Sequence, residues 1–123
     1  VERSRGLGDV YKRQEVYRGS FAISVCPSEN VESPTIVGAQ AANELLNIIG
    51  IKASFVLTEY NDKIYISSRS IDEINVQIIM EKLGGGGHLN VAGAQLTGVT
   101  IVQAKRMIQD TLDEMLKEGD IEE

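Results

Sequence analysis

The stretch from Ala53 to Ser68 constrains the fold more than any other part of the chain. Two runs, Ala53–Tyr60 and Lys63–Ser68, alternate apolar with polar residues and are parted by Asn61-Asp62 alone. Alternation with a period of two marks a half-buried strand, and Asn and Asp tolerate the positive φ that a two-residue turn demands. The pair therefore reads as a β-hairpin. Phe55 and Leu57 share one face of the first strand, and Ile64 and Ile66 share one face of its partner.

The flanking segments supply further elements. Phe21, Ile23 and Val25 alternate with Ala22 and Ser24 up to Pro27, which predicts a strand that the proline stops. Ser33-Pro34 has the form of an N-cap followed by proline in the first helical position, where its missing N–H is harmless. The expected helix carries Ile36, Val37, Ala41, Leu45, Ile48 and Ile49 and ends at Gly50. A shorter helix is expected over about Ile74–Leu83, with Ile74, Ile78 and Ile79 inward and a start signal at Ser70/Glu73 or at Asn75. A short strand follows around Ala94–Leu96. Thr100 and Gln103 then form a capping box before Ile101, Ala104, Ile108, Leu112 and Met115, whose spacing gives the last helix one apolar stripe. The order predicts an α/β fold: a mixed sheet with an antiparallel hairpin inside it and about three helices.

The ends of the chain read differently. Residues 1–16 show neither period, and Ser4–Gln14 resembles a translated sequencing-adapter remnant, which would place the native boundary near Glu15. The expectation is a disordered or artefactual tail over 1–16, one domain over 17–119, and an acidic frayed end over 120–123. Within the 123 residues no internal repeat occurs, and 42% hydrophobic with 24% charged residues excludes wholesale disorder. Cys26 has no second cysteine to pair with, which excludes an intrachain disulfide and favours a reducing compartment. No apolar run approaches the length of a membrane span, so the piece itself is expected to be soluble.

Charge narrows the partners. The chain carries 12 basic and 18 acidic residues, a formal −6, with seven acids against Lys117 alone over residues 110–123. Long duplex nucleic acid is held by many Lys/Arg–phosphate contacts, which this balance does not supply. A small anion needs only a few aimed donors, and one segment offers them. Gly84-Gly85-Gly86-Gly87-His88 follows the short helix; one glycine suits a helix C-terminus, while three more cost chain entropy without adding packing. Successive N–H groups free of side chains can form a nest for an anion, although a flexible loop is an equal reading. The spacing fits neither a dinucleotide fingerprint, where Leu89 stands in place of the third glycine, nor a Walker A loop, where Lys and Ser/Thr would replace His88 and Leu89.

Candidate ligand residues cluster around that run. His88 is the sole histidine, too few for a zinc site, and reads as a phosphate donor beside the glycines. Arg69, at the end of the second hairpin strand, is either a solvated surface charge or a phosphate ligand. Asn90 and Gln95 offer neutral amides to a base or ribose edge, or are plain loop polarity. Met80, Met107 and Met115 read as packing, Cys26 as a core thiol and the acidic end as solvated.

Gly84–Gln95 (GGGGHLNVAGAQ), preceded by IYISSRS and INVQIIMEKL, resembles the DHHA1 domain, the C-terminal lobe of DHH-type phosphoesterases. The likeness runs from about Tyr17 to Ile121, and its finer wording is similar to the membrane-anchored cyclic-di-AMP phosphodiesterases of Gram-positive bacteria. The resemblance implies that Gly84, Gly85, Gly86, Gly87 and His88 match the family's substrate loop, that Arg69 matches its arginine, and that Asn90 lies within the same loop. Val91 departs from the small residue expected before Ala92. The resemblance also implies two manganese ions held by Asp and His residues in a separate DHH lobe of the same polypeptide. This chain has no Asp-His-His triplet, so it is expected to bind without cleaving, with no catalytic residue, metal ligand or cofactor of its own.

Three functions compete at this level. The first is the cyclic-dinucleotide-binding lobe of a phosphodiesterase held on the cytoplasmic side of a membrane. The second is a single-stranded or short-oligonucleotide-binding module of a DHH-type exonuclease or oligoribonuclease. The third is an interaction domain that forms a homodimer through its last helix.

Overall fold

The computed structural model describes residues 15–26, 34–71 and 74–121. Six strands form one sheet: β1 (Glu15–Tyr17), β2 (Phe21–Cys26), β3 (Ala53–Tyr60), β4 (Lys63–Ser70), β5 (Gly86–Gly87) and β6 (Val91–Thr97). Their spatial order is β1-β2-β3-β4-β6-β5. Only β2 and β3 run parallel, and helix α1 (Pro34–Leu45) lies between them in sequence; every other neighbour pair is antiparallel. Helices α2 (Val76–Lys82) and α3 (Ile101–Glu118) complete the chain. The mixed sheet, the hairpin and the three helices agree with the sequence expectation.

The hairpin forms on its expected turn. Asn61 and Asp62 both take positive φ, 52° and 63°, and Tyr60 pairs with Lys63. Register then sorts the side chains. Phe55, Leu57, Ile64 and Ile66 join Phe21, Ile23, Ala92, Ala94 and Leu96 on one face, against α2 and α3. On the other face Ala22, Cys26 and Val56 pack with Ala41, Ala42 and Leu45 of α1. The first core is the larger, and its fully buried Phe21, Phe55, Ile108, Leu112 and Met115 each contribute roughly 1.5–3 kcal/mol.

Helix α1 crosses the second face closely. A Cβ at Gly38 would come within 2.7 Å of Ser67 Oγ, and the Ser54 hydroxyl donates to the Ala42 carbonyl at 2.6 Å. The helix packs over β2, β3 and β4. It stops short of β6, where Val91 remains 47% exposed. The sheet's second face is thus covered at one end and open at the other.

Four expectations need correction. Helix α1 ends at Leu45, not Gly50: the chain tightens into i→i−3 hydrogen bonds at Leu46, Asn47 and Ile48, which turn it back to start β3 beside β2. Ile49, beyond the helix, is fully exposed, and Ile36 within it is exposed as well. Helix α2 begins after its Asn75 cap and buries Val76, Ile79, Met80 and Leu83, a stripe that turns Ile78 outward. Glu15 and Val16, assigned to the tail, form β1 with Tyr17, and Ile121, assigned to the frayed end, is buried in the larger core. The rest of the N-terminal segment, the Ser33 cap and residues 122–123 lie outside the described residues.

Helix α3 opens on its capping box and closes on Gly119 in the left-handed conformation. Its buried stripe of Ala104, Ile108, Leu112 and Met115 packs on the sheet of the same chain, so that face is not presented to a second copy. Its outer surface holds down β1. The Tyr17 hydroxyl donates to Asp113 Oδ1 at 2.7 Å, Arg18 Nε donates to the same oxygen at 2.6 Å, and Lys105 Nζ donates to Glu15 Oε1 at 2.5 Å. The Tyr17 hydroxyl, then Arg18, holds the Asp113 carboxyl below its usual range. A depressed carboxyl stabilises the folded edge above its ordinary range and loses that effect as pH falls through its folded value. Protection of the residue 15–17 amides, taken relative to their intrinsic exchange rates, should fall as the pH drops below the ordinary carboxyl range, and Asp113→Asn should lower it in the same way at pH 7. Both are read by hydrogen exchange.

Candidate functional site

The open end of the second face is organised by register. Arg69 of β4 pairs with Val91 of β6, and His88 exchanges backbone hydrogen bonds with Val91 at 2.7 and 3.4 Å. These three residues form one row across the sheet. The next row holds Ser67, Gly93 and Gly86, and the third holds Tyr65 and Gln95. Adjacent strands lie about 4.8 Å apart, so Arg69 and His88 stand roughly two strand spacings apart with Val91 between them. All of these residues line one open cavity of about 620 Å³, walled by Ala39 of α1 and by Gly84–Gly87.

The glycines have distinct reasons. Gly84, at φ +86°, closes helix α2: its N–H reaches the Glu81 carbonyl and the Gly85 N–H reaches the Met80 carbonyl, the paired bonds of a Schellman cap. A Cβ at Gly85 would lie 2.0 Å from the Gly93 carbonyl oxygen, and one at Gly87 would lie 2.4 Å from that of Val91. Both glycines are there because the chain entering and forming β5 lies too close to β6 for side chains. Gly86 alone has ordinary φ and open space where a Cβ would stand, and that space is the cavity.

The free nest expected of the run is therefore not formed. The N–H groups of Gly84, Gly85 and His88 are spent on carbonyls, and Gly86-Gly87 is extended. Since the His88–Val91 pair is hydrogen-bonded, alternation turns the Gly87 N–H to the sheet's outer edge. The run offers a bare backbone floor and one edge donor in place of a concave bowl.

Arg69 is half-buried, and burial pushes its guanidinium below the usual arginine range without removing its charge. Its Nη1 donates to the Ser68 carbonyl at 2.8 Å, and no carboxylate among the described residues pairs with it. A partly dehydrated cation with donors to spare favours an anion. His88 is exposed at the cavity's rim. In a chain of net charge −6, the lining contains one cation, one imidazole and no carboxylate.

Of the residues named from sequence, Arg69, Gly84–Gly87 and His88 come together on this cavity. Asn90 does not line it: its Nδ2 donates to Ser70 Oγ at 2.9 Å, and Ser70 Oγ in turn donates to the Ile74 carbonyl at 2.6 Å. It ties the loop to β4. Val91, noted for its size, supplies part of the floor. Sequence reasoning missed Tyr65 and Ser67, although each lies an even number of residues from Arg69 on the same strand. Among the described residues no group of three or more His, Cys, Asp or Glu is placed to hold a metal ion, so these described residues do not fit manganese. No helix among them is long and apolar enough to cross a membrane.

A family model described as the DHHA1 domain matches residues 19–118. The chain belongs to the DHHA1 domain family. It is 47% identical over 100 residues to the cyclic-di-AMP phosphodiesterase PdeA of Listeria monocytogenes, a match covering 80% of this chain and 15% of that protein. Identity to the cyclic-di-AMP phosphodiesterase GdpP of Bacillus subtilis is 38% over 106 residues, covering 85% of this chain and 16% of that one. The bifunctional oligoribonuclease and PAP phosphatase NrnA of Thermus thermophilus is 35% identical over 71 residues, 57% of this chain and 22% of its own. The crystal structure of an exopolyphosphatase-related protein from Bacteroides fragilis shares the fold, with a TM-score of 0.81 at 24% identity over 92% of this chain and 34% of that one. The chain thus spans about a sixth of the two cyclic-di-AMP phosphodiesterases.

The separate reasons for the glycines are testable. Gly85→Ala should lower the melting temperature by about 10 °C, as a Cβ forced onto β6 costs roughly 2–3 kcal/mol. Gly86→Ala should leave it within about 2 °C of the parent. Equal losses in both, measured by thermal circular dichroism, would refute the assignment.

Proposed function

We propose that this DHHA1 domain is the substrate-binding lobe of a cyclic-di-AMP phosphodiesterase and holds a phosphate of the dinucleotide between Arg69 and His88, over the Gly86 floor. The observation that carries the reading is the convergence of Arg69, the glycine strand and His88 on one cavity free of carboxylates. Likeness to PdeA and GdpP supports the choice of substrate. Guanidinium fits two phosphate oxygens at once, and imidazole adds a further donor. The absence of a Cβ at Gly86 lets the ligand approach the sheet. In this reading the lobe orients the phosphodiester and shields it from water, while manganese-assisted cleavage belongs to a DHH lobe elsewhere in the polypeptide. The family resemblance extends the reading to a parent held at the bacterial membrane, with this lobe on the cytoplasmic side.

The likeness to NrnA favours a second reading, in which the same cavity holds the end of a short oligonucleotide. The net charge of −6 supports a short ligand over a long polymer in either case.

The test places this chain in the Listeria phosphodiesterase in exchange for the matching segment. Arg69→Ala should lower kcat/KM for cyclic-di-AMP about 30- to 100-fold, the worth of a charge-assisted hydrogen bond, and His88→Ala about 10-fold. Arg69→Lys should recover only part of the loss, since ammonium lacks the planar fork. Unchanged kcat/KM in Arg69→Ala and His88→Ala refutes the phosphate site. Larger losses on a short RNA than on cyclic-di-AMP favour the second reading.

A further inference from the structure

The third row of the cavity has no part in holding phosphate. Tyr65 pairs directly with Gln95 across β4 and β6, so both side chains stand on the open face. Both line the cavity; Tyr65 is half-buried and Gln95 exposed. Neither the Tyr65 hydroxyl nor the Gln95 amide makes a hydrogen bond within the described residues. Elsewhere the chain uses its amides: Gln103 completes the α3 capping box, Asn75 caps α2 and Asn90 holds Ser70.

Position along the strand gives these two a purpose. Residues of one face repeat about every 6.7 Å, so Tyr65 lies roughly 13 Å from Arg69 at the level of Cα, with Ser67 between them. An extended nucleoside phosphate covers such a span. Ser67 lies beneath α1, so a ribose over Gly93 beside it would carry its base to Tyr65 and Gln95, and Gly93 has no side chain to fill that middle row. A tyrosine ring gives a base a stacking surface, and a glutamine amide places one donor beside one acceptor, the pattern that a base edge such as that of adenine answers.

We propose that Tyr65 and Gln95 form the base-reading end of the cavity: the ring packs on a nucleobase while the amide hydrogen-bonds the base's adjacent donor and acceptor. This rests on the phosphate site at Arg69 and His88 and assigns the other half of the same ligand. Both residues act in specificity and affinity, not in bond cleavage.

The experiment follows backbone and side-chain amide signals of the 123-residue chain by NMR during titration with AMP and, separately, with ribose 5-phosphate. Both probes should shift the signals of Gly86, Gly87 and His88. Only AMP should shift those of Tyr65 and the Gln95 side-chain amide. Gln95→Leu, which keeps the size of an exposed side chain, should weaken AMP about tenfold and change ribose 5-phosphate by less than twofold. Tyr65→Leu should behave in the same way, with the unaltered chain's shift pattern standing as an independent readout. If AMP and ribose 5-phosphate perturb the same signals and Gln95→Leu binds AMP as the parent does, the base-reading end is refuted while the phosphate site stands. If neither probe shifts the glycine run, the phosphate site fails and this proposal fails with it.

Discussion

The glycine run from Gly85 to Gly87 lies against β6 because nothing but hydrogen projects from Gly85 and Gly87 on that side. Gly85 and Gly87 leave 2.0–2.4 Å between an imagined Cβ and the β6 carbonyls, a gap in which no other residue fits. That close approach brings the chain from the end of α2 to the edge of the sheet and sets His88 opposite Val91. Register does the rest, since Val91 is already opposite Arg69. Two residues nineteen positions apart in sequence thus share one row of one sheet. The cavity depends on this contact more than on any hydrogen bond made by its own side chains.

The second determinant is incomplete cover. Helix α1 packs tightly over β3 and β4 through Gly38, Ala41 and Ala42, but does not extend over β6. An antiparallel edge can leave one face to water where a parallel sheet cannot. The open face carries Tyr65, Ser67, Arg69 and Gln95 instead of the apolar residues found on the opposite face of the same strands. The two faces of β4 are thereby separated: its even positions turn to the core side, while Tyr65, Ser67 and Arg69 line the cavity.

Local chemistry was well expressed in the sequence wherever a short segment decides its own geometry. The Asn61-Asp62 turn, the Thr100–Gln103 capping box and the stripe of α3 depend on residues a few positions apart, and each forms as its pattern predicts. Arg69, the glycines and His88 were named together through their likeness to the family's loop and arginine, while their residue types alone left a flexible loop and a solvated charge open; the structure lines one cavity with all of them. The failures share a cause. The end of α1 at Leu45, the outward turn of Ile78 and the strands β1 and β5 were settled by partners distant in sequence. Tyr65 and Ser67 escaped notice because an aromatic and a serine in a strand look the same whether they face a helix or a cavity.

Sequence alone determined the hairpin, β2, the last helix and its capping box, the alternating faces of the strands and the residue types available to hold an anion. Only the tertiary structure decided that Gly84 caps a helix, that Gly85 and Gly87 make room for β6, and that Gly86 faces the cavity, since those roles depend on how α2 ends and how close the run lies to β6. It also decided that Asn90 braces the loop while Gln95 faces the open sheet, although both are amides within one short stretch. Local pattern specifies which chemistry a residue carries. The packing of distant strands specifies what that chemistry meets.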